Sequence, residues 1–132
     1  MSEENVDSSR RAWERFLAGD TPGALSFLDP GVEVHEPPQM PDAQSYRGHA
    51  GWQAQLDRFG DAFTDISYRV LEHIDCGDEV VTVVTANGTA TSSGVPGEMT
   101  YAQLETWRDG RMVTLRYFVS RDEALQAAAP RE

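Results

Sequence analysis

Four β-prone runs follow one another in the second half of the chain, at residues 66–75, 79–90, 98–108 and 111–119. Only short breaks separate them: Asp75-Cys76-Gly77-Asp78, the loop TSSGVPG at 91–97, and Asp109-Gly110. Turns of this Asp/Gly kind reverse the chain in place, so consecutive runs must pair as an antiparallel meander. The runs alternate as half-buried strands do. Ile66, Tyr68 and Val70 oppose Ser67, Arg69 and Leu71; Tyr101, Gln103, Glu105 and Trp107 oppose Thr100, Ala102, Leu104 and Thr106; Val113, Leu115, Tyr117 and Val119 share one face of the last run. A sheet this long needs a cover for its apolar face.

The first half supplies that cover. Residues 3–18 have helical spacing, with Val6, Trp13, Phe16 and Leu17 on one side, Arg10, Arg11 and Arg15 mostly on the other, and Gly19 as a stop. Asp20 or Thr21 can cap a second short helix with Pro22 in its first turn and Ala24, Leu25 and Leu28 as its apolar residues. Asp29-Pro30-Gly31 reads as a turn, Val32 to Glu36 as a short strand that Pro37 and Pro38 stop, and about 49–62 as a helix presenting Trp52, Leu56 and Phe59 towards Phe63. Residues 122–129 read as a last short helix ending at Pro130. Helices segregated from an antiparallel sheet make an α+β domain, and its long hairpins must curve around the helices.

At 132 residues, 39% hydrophobic and 25% charged, the chain is expected to be a single globular domain over 1–132. No apolar run approaches the ~20 residues of a membrane helix. The acidic start, MSEENVDSSRRAWERF, has no apolar segment of the secretory kind. A lone cysteine, Cys76, excludes an intrachain disulfide and fits a reducing cytoplasm. The net charge of −11 disfavours nucleic acid and anionic membrane as partners. All eleven basic residues are arginine, so Schiff-base chemistry on a lysine is excluded. The histidines at 35, 49 and 73 show no ligand spacing, so no metal site is expected, and no glycine-rich phosphate loop or dinucleotide fingerprint is present. Acidic neighbours disfavour Cys76 as a nucleophile.

The element order, with AGD at 18–20, VHEPP at 34–38, PDAQSYRG at 41–48, GDEVV at 77–81, RDGRMV at 108–113 and RYFVSRDEALQAA at 116–128, resembles the SnoaL-like branch of the nuclear transport factor 2-like superfamily. That resemblance covers nearly the whole chain. It implies a cone-shaped α+β barrel, a curved sheet wrapped around N-terminal helices to enclose an apolar pocket, commonly as a homodimer packed through the convex sheet face. Relatives include ketosteroid isomerases, polyketide cyclases, an epoxide hydrolase, dehydratases and proteins without known activity, so the fold does not by itself supply the function.

Carried over by motif, Glu36 before Pro37 takes the place of the isomerase's general base, and Gln103, counted back from Arg108-Asp109-Gly110, that of a carboxylic acid that donates to the oxyanion. Parity sends Glu105 to the same face, as a raised-pKa acid or as an ion-paired sheet residue. The isomerase's helix-one tyrosine falls near Ala12, which supplies no hydroxyl. The Asp-Arg-Asp relay of the epoxide hydrolase is lacking, with Tyr101 and Gln103 at two of its positions and Val119 where many relatives carry an Asp. His35 and Glu36 are neighbours on a strand, so they face opposite ways and Glu36 is the pocket residue. Tyr46, Trp52, Tyr101, Trp107, Leu115, Tyr117 and Val119 are the expected ligand-lining residues. Two functions follow. One is cofactor-free general acid–base chemistry, an isomerisation or cyclisation, on a small apolar carbonyl compound. The other is a non-catalytic ligand-binding or protein-interaction module on the same fold.

Overall fold

The computed structural model describes residues 2–128. Helix α1 (Ser2–Leu17) is followed by α2 (Thr21–Leu25), strands β1 (Leu28–His35) and β2 (Ser45–Arg47), and helix α3 (Gly48–Ala62). Strands β3 (Phe63–Cys76), β4 (Glu79–Ala90), β5 (Pro96–Arg108) and β6 (Arg111–Phe118) then form the meander, and α4 (Arg121–Ala128) ends it. The expected end of α4 at 129–130 lies outside the described residues.

The six strands make one sheet in the order β2-β1-β6-β5-β4-β3. The meander is antiparallel as expected. The sheet is nevertheless mixed, because β1 runs parallel to β6, with Val34 opposite Leu115. Turn chemistry reports neighbours along the chain and is silent on a pairing between β1 and the last strand. Residues 45–47, expected as loop, pair antiparallel with β1. Asp29-Pro30-Gly31 does not separate elements: it lies inside β1, where pairing to β6 slips between Leu28 and Glu33, and the Gly31 N–H donates to Asp29 Oδ2 at 2.8 Å. β3 and β5 also begin earlier than their patterns imply, at Phe63 and Pro96.

Two layers cover the sheet. On the concave face α1, α2 and α3 pack around Val32, Val34, Val80, Trp107 and Leu115. α1 turns Ser9 and Ala12 inward, with Val6, Trp13 and Phe16 partly buried beside them. Leu17, expected on that face, is exposed, because the inward stripe follows 6-9-12-13-16 and leaves 17 on its edge. On the convex face α4 seats Ala124 and Ala128 on Val81, Val83, Ala102 and Leu104. A homodimer built through the convex face would use what α4 leaves uncovered. A register shift between Thr106 and Trp107 puts Trp107 opposite Met112. Met112 is therefore buried on the concave side, and Val113 does not share the face of Leu115 and Tyr117 as simple alternation requires.

Candidate functional site

Between the concave face and the helices lies a cavity of about 260 Å³, close to the lower end of small-molecule sites. α1 contributes Ala12, Trp13 and Phe16, while α3 contributes Trp52, Gln55, Leu56 and Phe59, spaced as one helix face. Tyr68, Tyr101, Gln103, Met112, Leu115 and Tyr117 come from the sheet. Met40, Met99 and Val119 line the cavity and are also 44%, 51% and 45% exposed, so they form an apolar rim.

Glu36 reaches this cavity because the chain is pinched there. Its N–H donates to Gln44 O at 3.1 Å, and the Gln44 N–H donates back to Glu36 Oε1 at 3.0 Å. Residues between them bulge out as a loop, with β1 and β2 paired below its neck. Gly48, at φ +77°, then turns the chain into α3, where a Cβ would lie 3.2 Å from Pro30 O. Arg58, on α3, donates to Glu36 Oε1 at 2.8 Å and to the Tyr46 hydroxyl at 3.1 Å through Nη1, and to Asp42 O at 3.0 Å through Nη2. One guanidinium thus ties the loop, β2 and the Glu36 carboxylate together. The hydrogen bond that Arg58 donates to the Tyr46 hydroxyl is the main reason that its pKa is held above the usual value. The Glu36 side chain is 8% exposed and both its hydrogen bonds fall on Oε1, so Oε2 carries the unused lone pairs.

Gln103 and Tyr101 lie side by side on the wall with Tyr117, whose ring centroid is 5.7 Å from that of Tyr101. Burial pushes the phenols of Tyr68, Tyr101 and Tyr117 up, Tyr101 strongly, with neighbouring tyrosines and Glu105 adding to the shift for the last two. All three therefore stay protonated and able to donate. The Tyr117 hydroxyl faces Gln55 Oε1 at a long 3.5 Å.

Glu105 lies behind this wall and does not line the cavity. It is fully buried; its Oε2 accepts from Gln103 Nε2 at 2.6 Å and its Oε1 from the Trp107 indole N–H at 3.1 Å. Burial raises its pKa, while the side chains of Ser9, Gln103, Thr82 and Trp107 oppose that rise. Behind them Ser9 Oγ, Thr82 Oγ1 and His73 Nδ1 form a triangle with sides of 3.1–3.2 Å. Burial and the charge of Arg10 lower the pKa of His73.

Of the expected catalytic residues, Glu36 and Gln103 share the cavity, and Glu105 is joined to it through Gln103. The ion-paired alternative for Glu105 is also excluded, since its partners are an amide and an indole among the described residues. Of the expected lining residues, Trp52, Tyr101, Leu115, Tyr117 and Val119 line the cavity. Tyr46 and Trp107 do not: Tyr46 sits outside against Arg58 and Gly51, and Trp107 is spent on the core and on Glu105. Arg58, Tyr68 and Gln55 were missed. The alternation of Ile66, Tyr68 and Val70 already places Tyr68 on the concave face; nothing local points from Arg58 to a carboxylate in another element.

His35 is directed away from the cavity, as parity requires, to Ser45 Oγ at 2.7 Å and Glu33 Oε1 at 3.3 Å. His49 contacts Leu28 O at 2.9 Å. Among the described residues no group of three His, Cys, Asp or Glu side chains is placed to hold a metal ion, and no helix is long and apolar enough to cross a membrane. Cys76 has its thiol pushed up by burial, then by Glu79 and Asp75.

A family model described as a SnoaL-like domain matches residues 9–115. No curated protein matches the sequence significantly. Among solved structures the chain is similar to an NTF2-like protein of unknown function from Burkholderia pseudomallei K96243, with 22% identity, a TM-score of 0.78, and coverage of 96% of this chain and 98% of that one. It is also similar to TerC co-crystallized with polyporic acid, with 23% identity, a TM-score of 0.77, and coverage of 95% and 98%. A third is a putative SnoaL-like polyketide cyclase from Jannaschia sp. CCS1, with 20% identity, a TM-score of 0.75, and coverage of 98% and 94%. At such identities the likeness shows the fold, an α+β fold with a curved sheet of the NTF2-like and cystatin-like kind.

Proposed function

We propose, taking as premise that the chain belongs to the SnoaL-like domain family, that its cavity binds a small apolar carbonyl compound and moves a proton beside the carbonyl without a cofactor. The observation that carries this reading is a single carboxylate, Glu36, in a largely apolar wall whose other polar groups are three phenols and the amides of Gln55 and Gln103. Glu36 Oε2 takes a proton from the carbon next to the carbonyl, and the C–H electron pair forms the enolate. Its oxygen is held by the Tyr101 hydroxyl, and by the Gln103 amide once that amide turns an N–H to the cavity. Return of the proton to another carbon completes an isomerisation; attack of the enolate carbon on a second carbonyl breaks its C=O π bond, and the alkoxide formed takes the proton back from Glu36 to complete an aldol-type cyclisation. One such donor is worth about 2.7–4 kcal/mol of barrier where it has been isolated. Polyporic acid in one similar structure supports an aromatic, oxygen-bearing ligand.

The test is α-proton exchange of 2-tetralone in D₂O, followed by NMR. The wild type should accelerate exchange, and Glu36→Gln should lose roughly 10²–10⁴-fold of that acceleration. Equal rates in the two proteins refute the base. A second reading, binding without turnover, is favoured by Arg58: its bond to Glu36 at 2.8 Å already occupies one carboxylate oxygen. The same experiment separates the two, since a ligand that raises the melting temperature yet undergoes no exchange selects the binding protein.

A further inference from the structure

Glu105 is a completely buried carboxylic acid one residue pair behind the ligand wall, and the acid–base reading gives it no task. Its two oxygens have different freedom. The indole N–H of Trp107 can only donate, so Oε1 accepts whatever the charge on the group. Oε2 faces Gln103, an amide that can present either its nitrogen or its oxygen. An ionised carboxylate can only accept, so it must hold the amide by Nε2, as seen at 2.6 Å, and the amide oxygen is turned from Glu105 towards the cavity. A carboxylic acid protonated on Oε2 can instead donate to the amide oxygen. A half-turn of the amide then brings both N–H groups to the cavity side.

We propose that Glu105 is a positioning residue whose ionisation sets which end of the Gln103 amide faces the ligand. Ionised, it makes that part of the wall an acceptor, suited to a ligand hydroxyl. Neutral, it makes the same spot a donor, suited to a carbonyl or an enolate oxygen. The inference rests on reading the cavity as the ligand site, and it deepens that reading into a rule for ligand class. The surroundings permit the switch. β5 presents Gln103, Trp107 and Tyr101 to Glu105; β6 presents Leu115 and Tyr117; β4 presents Val80 and Thr82; α1 presents Ser9; and His73 on β3 is reached through Ser9 and Thr82. No guanidinium bonds it among the described residues. Burial favours its neutral form and brings its titration towards neutral pH.

The test uses the full-length, ¹⁵N-labelled protein from about pH 4 to 8. The Trp107 indole and Gln103 amide signals should move with one common midpoint. In parallel, the affinity ratio of two probes of like shape, 2-naphthol as donor and 2-acetonaphthone as acceptor, should fall roughly tenfold from the alkaline to the acid side of that midpoint, the worth of one hydrogen bond. Glu105→Gln should abolish the midpoint at Trp107 and hold the ratio at its acid value throughout. Gln103→Leu should leave the Trp107 midpoint in place and make the ratio independent of pH. The proposal is overturned if the Gln103 amide is silent at the Trp107 midpoint, if the ratio follows the His73 ring signals instead, or if the ratio still titrates in Gln103→Leu. Failure of both probes to bind refutes the ligand-site reading, while the two side-chain signals still decide whether Glu105 steers the amide.

Discussion

Truncating Glu105 to alanine should cost about 2–3 kcal/mol at neutral pH, most of it at one atom. The two donors that bond the carboxylate are left very differently by its loss. Gln103, though as little exposed as Trp107, lines the cavity and can turn its amide into that space. The Trp107 indole is 3% exposed, so its N–H is orphaned, at about 1–3 kcal/mol. The void beneath α1 adds about 1 kcal/mol, and relief of the buried charge offsets part of the total. For a domain of this size the loss corresponds to roughly 10 °C in Tm. Its pH dependence has a definite sign. The native state holds the Glu105 proton more tightly than the unfolded chain, so the contribution of Glu105 to stability is greatest below its unfolded value of 4.5 and is lost as pH rises through the raised native value. The alanine variant lacks that slope, so its deficit should be larger near pH 4.5 than near pH 8. Urea unfolding at both pH values measures this. A double-mutant cycle with Trp107→Phe, which removes the orphan, should return a coupling of about 1–2 kcal/mol. A coupling indistinguishable from zero, or a deficit that grows towards alkaline pH, refutes the account.

Three further outcomes are expected. Arg58→Met should release the loop neck at Glu36, raising hydrogen exchange at the Gln44 amide about tenfold or more, and Arg58→Lys should not restore protection, because one ammonium cannot reach Glu36, Tyr46 and Asp42 together. His73 has the opposite linkage to Glu105: its depressed pKa gives stability that is present above its unfolded value of 6.5 and lost as pH falls through the native value, so His73→Asn should flatten the acid limb of a Tm-versus-pH curve. In α3, Gly60→Ala meets nothing within 4 Å and should raise stability by about 0.5–1 kcal/mol in urea unfolding, whereas Gly51→Ala drives a Cβ to 3.0 Å from Tyr46 and should lower it.

The meander and its turns were legible in the sequence because Asp75–Asp78 and Asp109-Gly110 act locally, and strand alternation correctly separated Glu36 from His35. What stayed hidden was set by contacts between distant residues. Glu105 and Trp107 have the same parity as Gln103, yet they lie where α1 closes onto the sheet, so sharing a face did not mean reaching the cavity. The slip beside Trp107 exchanged Met112 for Val113, and no pattern within β6 announces an irregularity that lies in its pairing. Arg58 reads as one more polar residue on an amphipathic helix until the Pro37 loop folds back over it.

The parallel pairing of β1 with β6 bears on how the molecule would behave when cut. A nick in the turn at 91–94, between β4 and β5, leaves an N-terminal piece holding β1 to β4 and a C-terminal piece holding β5, β6 and α4. These pieces would share two separate strand seams, β4 with β5 and β1 with β6, as well as the α4 packing on Val81 and Val83. Glu36 would lie on one piece, with Gln103 and Tyr101 on the other. Reassembly of the two halves would thus rebuild the cavity itself, making the chain a natural candidate for a split reporter whose signal is ligand capture.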